Sequence, residues 1–371
     1  MSDKDIYFIT GGGTGGHIYP AIAIADALYE KGDKIFYIGN PENLEFSIVG
    51  QKPYNENFLP VNIHGMPRKL SPELLKWGIQ LFFAVIKSIG YIKKYKPKAA
   101  FGTGGYVSAP ILIACKLMKV PYMLHDCDAN PGLVTRKLAT GAAAVSLAFD
   151  CAKKAINNKN CYVNGNPIRP KFKSLSKSEA RKEMKIDDKM TICIMGGSQG
   201  ARAINDATVE ILQTLTQKYG VQVIFQTGKR NFERVIEQLI KIYPEYESDK
   251  NIIIRPYFDD MVTVLKSSDI AVSRAGSLSI SEIEASGAAS VLIPYPYAAA
   301  DHQRKNAKYM LENGASFYLE DSEANAKTLL EELVALITNS EKLYELQQNA
   351  LKLAKYDGVE KIVAQLETLG N

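Results

Sequence analysis

At 371 residues the chain is too long for one ordinary hydrophobic core, and roughly two domains are expected. Its 46% hydrophobic and 23% charged residues are those of an ordinary soluble protein, and its five cysteines, scattered and never spaced C-x-x-C, argue against a disulfide framework and a zinc site. The net charge of +5 is unevenly placed: residues 1–165 carry 19 Lys+Arg against 12 Asp+Glu and the remainder 26 against 28, which directs an anionic surface or ligand to the first half.

The first five residues lead straight into a strand, leaving no room for a signal peptide, so a cytoplasmic protein is the expectation. Ile6 to Ile9 are apolar throughout, as in a strand buried on both faces of a parallel sheet, and Ala21, Ile22, Ile24, Ala25 and Leu28 then fall at helical spacing. Gly11, Gly12, Gly13, Gly15 and Gly16 lie between them. Such a turn lets a ligand approach the backbone and aims unpaired N–H groups and a positive dipole end at it, which suits a phosphate. His17 sits at its mouth. Gly11-x-Gly13-x-x-Gly16 also matches a dinucleotide fingerprint, but the second strand, Lys34–Ile38, ends in Gly39-Asn40 instead of the acid that would hold a ribose, which weakens an NAD reading.

Residues 72–94 read as an amphipathic helix. Leu74, Trp77, Leu81, Val85, Ile89 and Ile92 share the face that docks on the domain, while Ile79, Phe83 and Ile86 lie opposite, bordered by Lys76, Lys87, Lys93 and Lys94. Between Asn57 and His125 stand ten basic residues and one acid, Glu73. An apolar patch ringed by lysines fits an anionic membrane surface; burial under a neighbouring loop and a merely solubilising lysine face are the alternatives. The run reads as too short and too charged to span a bilayer. Strands at Ala99–Phe101, Tyr122–Leu124 and Ala144–Leu147, and a helix from about Ser108 to Met118, complete the first half.

Asn164-Gly165-Asn166-Pro167 and Pro170 form a stiff connector, after which the pattern restarts. Strands are expected at Thr191–Met195, Val221–Thr227, Ile252–Ile254, Ile270–Ser273 and Val291–Pro294, with a helix over Ala203–Leu215. Strands alternating with helices, begun twice, indicate an α/β protein of two doubly wound parallel-sheet domains. Gly196 to Ala201 is a second glycine turn and also satisfies G-x-S-x-G. A nucleophilic Ser198 would need an acid and a histidine, such as Asp269 or Asp301 with His302, but no HGGG-type oxyanion segment precedes it, so a hydroxyl donor to a phosphate is the favoured reading. In Ser273 to Glu282, glycine and serines free donors for phosphate oxygens and Glu282 suits the two hydroxyls of a ribose, with an ordinary capped helix as the alternative. Gln303 and Asn306 present amides suited to sugar hydroxyls, and the closing segment Glu341–Leu369 is helical in pattern and could pack on either domain.

The blocks GGTGGHIYP (12–20), GGYVS (104–108), HDCDANPGL (125–133), GNPIR (165–169), GGSQGA (196–201), FDDM (258–261), SRAGSLSISE (273–282) and DHQRKNA (301–307) resemble, in order and over nearly the whole chain, those of the MurG group of glycosyltransferase family 28. The resemblance implies a GT-B fold, two Rossmann-like domains facing across a cleft: residues 1–166 for a lipid-linked acceptor and the membrane, 167–354 for a UDP-sugar, and a closing helix, about 355–371, returning to the first. It implies transfer of N-acetylglucosamine from UDP-GlcNAc to lipid-linked MurNAc-pentapeptide (lipid I to lipid II), with inversion and without metal or cofactor. The expected partners are UDP-GlcNAc, lipid I and the anionic cytoplasmic face of the cell membrane, with no nucleic acid.

By matching motif, uracil falls around Phe258, ribose on Glu282, and diphosphate on Ser198, Gln199 and the turn Ser277, Leu278, Ser279, Ile280 and Ser281, helped by Arg169. Gln303 and Asp128 fall near the sugar, Thr14, Gly15 and Gly16 beside the donor or the lipid diphosphate, and Gly104, Gly105, Tyr106 and His125 on the acceptor side. His17 is the candidate general base, its pKa expected to be lowered by the helix end. Two positions depart from the family pattern: His125-Asp126-Cys127-Asp128 stands where HEQN is usual, and Tyr297 where histidine is common. Another lipid acceptor such as diacylglycerol, another donor sugar, an idle UDP-sugar-binding protein and a serine hydrolase are the alternatives.

Overall fold

The computed structural model describes residues 4–67, 71–197 and 199–370, which form two compact units: Met1–Ile168 with Asp357–Asn371, and Arg169–Tyr356. The first unit is built on seven strands, β1 (Ile6–Thr10), β2 (Lys34–Gly39), β3 (Phe58–Pro60), β4 (Ala99–Gly102), β5 (Tyr122–Asp126), β6 (Ala144–Leu147) and β7 (Cys161–Val163), in spatial order β3-β2-β1-β4-β5-β6-β7. The second has six, β8 (Thr191–Met195), β9 (Gln222–Gln226), β10 (Ile252–Arg255), β11 (Ile270–Ser273), β12 (Ala289–Leu292) and β13 (Ser316–Tyr318), in order β10-β9-β8-β11-β12-β13. Neighbouring strands pair in parallel throughout. Each sheet reverses its winding beside its first strand, between β1 and β4 and between β8 and β11, and the carboxyl ends at such a reversal are where α/β sheets take ligands.

Alternation along β1 explains why it is apolar throughout. Tyr7 and Ile9 pack on one face with Ile18, Ile24 and Leu28 of the helix Gly15–Glu30, while Phe8 packs on the other with Ala84, Val85 and Ile92 of Pro72–Tyr95 and Ile111 of Gly105–Met118. The three-residue edge strands β3, β7 and β13 carry too little periodicity to be read locally.

The closing segment is two helices, Ser340–Leu353 and Gly358–Glu367, not one continuous element. Leu343 and Leu346 of the former join the core of the second unit, whereas Ile362, Val363 and Leu366 of the latter join that of the first, beside Ile18 and Leu28. Gly358 permits the seating of this last helix, because a Cβ there would lie 3.1 Å from the carbonyl oxygens of Asn164 and Asn166.

The helix Pro72–Tyr95 is, at 24 residues, long and apolar enough by length and composition to cross a membrane, which corrects the expectation that the run is too short and charged. What argues against a span is its packing: Ala84, Val85, Ser88 and Ile92 are buried in the first unit. Ile79, Phe83 and Ile86 stay exposed on the opposite side, joined by Leu75 and Phe82.

Candidate active site

The carboxyl edge of the first sheet converges on the glycine turn. The Thr103 hydroxyl, just past β4, donates to the His17 carbonyl at 2.7 Å, and the Tyr37 hydroxyl of β2 donates to the Gly11 carbonyl at 2.6 Å. The helix Gly15–Glu30 has no side-chain cap at Thr14, and its first backbone bonds run from the N–H groups of His17 and Ile18 to the Thr14 carbonyl. The Gly15 and Gly16 N–H groups are therefore left at the positive end of the dipole, as an anion requires.

His17, half-buried, lies against the Gly104–Gly105 backbone: a Cβ on Gly105 would come within 3.0 Å of its Cδ2 and 3.3 Å of its Nε2. Its Nδ1 stands 3.9 Å from Cys127 Sγ. The Tyr106 ring packs over Gly13, and its hydroxyl accepts from Asn43 Nδ2 at 3.1 Å. Thr14 to His17 and Gly104 to Tyr106 thus come together as one site.

Two neighbours are enclosed, one of them, His125, expected on the acceptor side. His125 is 0% exposed, its Nδ1 and Nε2 bonded to Ser146 Oγ (3.0 Å) and Asn166 Oδ1 (3.1 Å), and burial pushes its pKa down to about 4. It is a neutral residue enclosed in the scaffold, not an exposed contact on the acceptor side. Asp126 is likewise buried and accepts from the N–H groups of Gly132 (2.9 Å) and Asp128 (3.2 Å); burial, opposed by the Thr135 hydroxyl, raises its pKa to about 7. The Asp126 carboxylate is thus engaged with backbone, and among the described residues no three His, Cys, Asp or Glu side chains are grouped to hold a metal.

Sequence reasoning missed Glu45. Its side chain, 0% exposed, folds back from the helix Leu44–Val49 so that Oε2 accepts from the Gly13 N–H (3.1 Å) and Oε1 from the Asn40 N–H (3.1 Å). An acid does therefore follow β2, but five residues beyond Asn40 and turned onto the loop, where a search of the strand end does not find it.

In the second unit, the turn 196–201 crosses the backbone after β9 so closely that a Cβ on Gly200, whose φ is 75°, would fall 2.0 Å from the Thr227 carbonyl oxygen. Ser198 lies outside the described residues; Gln199 is exposed, its carbonyl accepting from Asn231 Nδ2 at 3.0 Å. After β11 the helix Ser277–Ser286 opens at Gly276 without a side-chain cap. Ile280 cannot serve a phosphate: its side chain is 0% exposed and its N–H already bonds the Gly276 carbonyl. That leaves the N–H groups of Leu278 and Ser279 as the outward donors of the first turn.

Glu282, partly buried on this helix, receives a bond from Arg169 Nη2 at 2.9 Å; burial raises its pKa and the Arg169 charge pulls it back. Arg169 Nη1 also reaches the Asp259 carbonyl at 3.4 Å. The Phe258 ring is buried, with the Arg255 guanidinium 5.3 Å from its centre, so a base here would meet the main chain of the 256–260 turn more than an aromatic face. Gln303 Oε1 accepts from the Tyr295 N–H at 2.9 Å, which ties the loop after β12 to the helix His302–Glu312 and leaves its NH₂ for a ligand. On that loop Tyr297 is 81% exposed.

Two family models divide the chain, the Glycosyltransferase family 28 N-terminal domain over residues 7–146 and the Glycosyltransferase family 28 C-terminal domain over 191–362. The chain belongs to glycosyltransferase family 28. It is 36% identical to the UDP-N-acetylglucosamine--N-acetylmuramyl-(pentapeptide) pyrophosphoryl-undecaprenol N-acetylglucosamine transferase of Carboxydothermus hydrogenoformans, over 97% of this chain and 96% of that one. A protein of the same name from Desulforamulus reducens is 35% identical over 97% and 98% of the two chains. The crystal structure of Acinetobacter baumannii MurG superposes with a TM-score of 0.80 at 24% identity, covering 98% of this chain and all of that one.

In this family 28 glycosyltransferase the helix carrying Glu282 also buries Glu284, whose pKa burial raises to about 8 against the opposing charge of Lys355. The folded state keeps a proton that the unfolded chain releases near the ordinary carboxylate pKa, so this group's contribution to stability falls as pH rises from about 4.5 to about 8. Glu284→Gln is expected to flatten that decline: in urea unfolding, no gain below the ordinary carboxylate pKa and a gain that grows toward mild alkali. An unchanged pH slope would contradict the assignment.

Proposed function

We propose that the chain transfers N-acetylglucosamine from UDP-GlcNAc to the C4 hydroxyl of lipid-linked MurNAc-pentapeptide, converting lipid I to lipid II with inversion at the anomeric carbon. The observation that carries this reading is the near-full-length similarity to transferases of that name. It is supported by a phosphate-type glycine turn at the switch point of each sheet. The first unit takes the acceptor: the N–H groups at 14–16 receive the lipid diphosphate, Tyr106 and the Gly104–Gly105 backbone flank the muramoyl sugar, and Asp128 reaches for the transferred sugar. The second takes the donor, with uracil at the Phe258 turn, ribose on Glu282, diphosphate on Ser198, Gln199 and the turn opening at Ser277 with Ser281 beside it, and the sugar on Gln303.

His17 removes the proton from the C4 hydroxyl as that oxygen attacks the anomeric carbon and the bond to UDP breaks; the proton stays on the imidazole and the electron pair leaves with UDP. Arg169 and the helix-start N–H groups stabilise the charge developing on the diphosphate. No metal or cofactor is called for.

A panel of UDP-GlcNAc, UDP-GalNAc and UDP-Glc, each offered with lipid I and with diacylglycerol, tests the proposal. GlcNAc transfer to lipid I is expected; transfer only to diacylglycerol, or UDP binding without transfer to either lipid, would overturn it.

The same reading places the protein peripherally on the cytoplasmic face of the cell membrane. In its support, Ile79, Phe83 and Ile86 form an exposed apolar patch on a helix that also carries Lys76, Lys87, Lys93 and Lys94. Ile79→Glu with Phe83→Glu is expected to lower binding to anionic vesicles by roughly ten-fold or more, and the parent's binding should fade with salt. Equal flotation of parent and variant would remove the patch from the account.

A further inference from the structure

Glu45 has no part in the reaction as proposed, yet its carboxylate is wholly enclosed beside the acceptor turn. Three N–H donors converge on it, from the Gly13 backbone (3.1 Å), the Asn40 backbone (3.1 Å) and Asn43 Nδ2 (3.3 Å), and among the described residues no cation pairs with it. Burying a carboxylate without a cation is costly and is sustained only where aligned N–H dipoles replace its water.

The Gly13 N–H belongs to the strand–turn–helix loop whose backbone donors would otherwise meet the first phosphate of a bound diphosphate. Here that donor is already taken by a side chain. Gly12 serves the same arrangement, because a Cβ at Gly12 would lie 2.4 Å from Glu45 Oε1. Its missing side chain makes room for the carboxylate, not for a ligand. The Asn43 amide that bonds Glu45 also bonds the Tyr106 hydroxyl at 3.1 Å, so the carboxylate is coupled to a residue of the acceptor site.

We propose that Glu45 is a specificity-determining residue: its carboxylate is an internal anion that occupies the inner donor of the glycine turn. A second anion cannot share the Gly13 N–H, both because the donor is used and because a buried charge is poorly screened. A deeply seated nucleotide diphosphate is thereby excluded from the first unit, and a ligand phosphate is confined to the outer donors at Gly15 and Gly16. The inference rests on reading this turn as the acceptor diphosphate site.

The test measures inorganic pyrophosphate binding by calorimetry, with saturating UDP present to fill the donor unit. Glu45→Gln removes the charge and replaces one carboxylate oxygen by an NH₂ while keeping the side-chain volume; Glu45→Asp keeps the charge. Pyrophosphate is expected to bind the Gln variant about ten-fold or more tightly than the parent, and the Asp variant no more tightly than the parent. A role limited to bracing the turn would weaken pyrophosphate binding in both variants, and that result, or an unchanged affinity in the Gln variant, would overturn the proposal. Competition between pyrophosphate and lipid I in the parent is scored separately: its absence removes the acceptor reading of the turn, whereas the Gln and Asp comparison judges Glu45.

Discussion

Replacing His17 by alanine is expected to lower kcat by roughly 10²–10⁴-fold, the usual contribution of a general base, with UDP binding at the parent level. The His17 carbonyl, which accepts from Thr103 at 2.7 Å, is retained in alanine. What is lost is the imidazole lying on the Gly104–Gly105 backbone at the mouth of the turn. The measurement is kcat at saturating lipid I beside a calorimetric UDP titration, and a kcat within a few-fold of the parent would end the case for His17 as base. His125→Ala is the informative contrast. Its imidazole is enclosed and held neutral by burial, and its removal takes one hydrogen-bond partner each from Ser146 and Asn166, so its loss should appear in stability first.

Glu282→Ala is expected to raise the KM for UDP-GlcNAc by roughly 10²-fold or more, with a smaller change in kcat at saturating donor. A carboxylate accepting from both ribose hydroxyls makes two charge-assisted hydrogen bonds, each worth about 1.5–3 kcal/mol. The pH dependence follows from Arg169. Burial raises the Glu282 pKa and the guanidinium 2.9 Å away pulls it back, so the carboxylate form is lost, and donor KM rises, as pH falls through that pKa. Arg169→Ala removes the pull, and the acid loss of donor affinity should then begin at a higher pH than in the parent. Donor KM measured across the acid range for the three proteins checks both statements. An acid limb that does not move in the Arg169 variant would separate Glu282 from donor binding.

The elements that were legible are those whose signal is local. β1 reads as a buried strand because four successive apolar residues need helices on both faces, and the glycine turns read as phosphate-type because each is strung between a strand and a helix. The amphipathic helix 72–95 was legible for the same reason, since a 3.6-residue period names its inner and outer faces without reference to any partner. The helix after Gly104 was placed three residues late, because a glycine pair at φ 77° and 71° turns directly into it.

The amino-acid sequence by itself therefore determined the two doubly wound sheets, the glycine turns at their edges and the family blocks, all of which depend on neighbours within a few residues. Only the tertiary structure decided the rest. Glu45 became the counter-anion of the Gly13 N–H across 32 residues of chain, and His125 passed from a candidate contact to an enclosed scaffold residue because β6 and the segment at Asn166 close over it. A helical period in Glu341–Leu369 could not show that the segment breaks near 354–357 and sends Ile362 and Leu366 to a core that includes Ile18 and Leu28, more than three hundred residues upstream. Periodicity records that a face is apolar, but which surface covers it is set by where the folded chain brings complementary shape and donors together. The same holds for the first glycine turn: that it can receive an anion is written locally, but that its inner donor is already satisfied is a consequence of the fold.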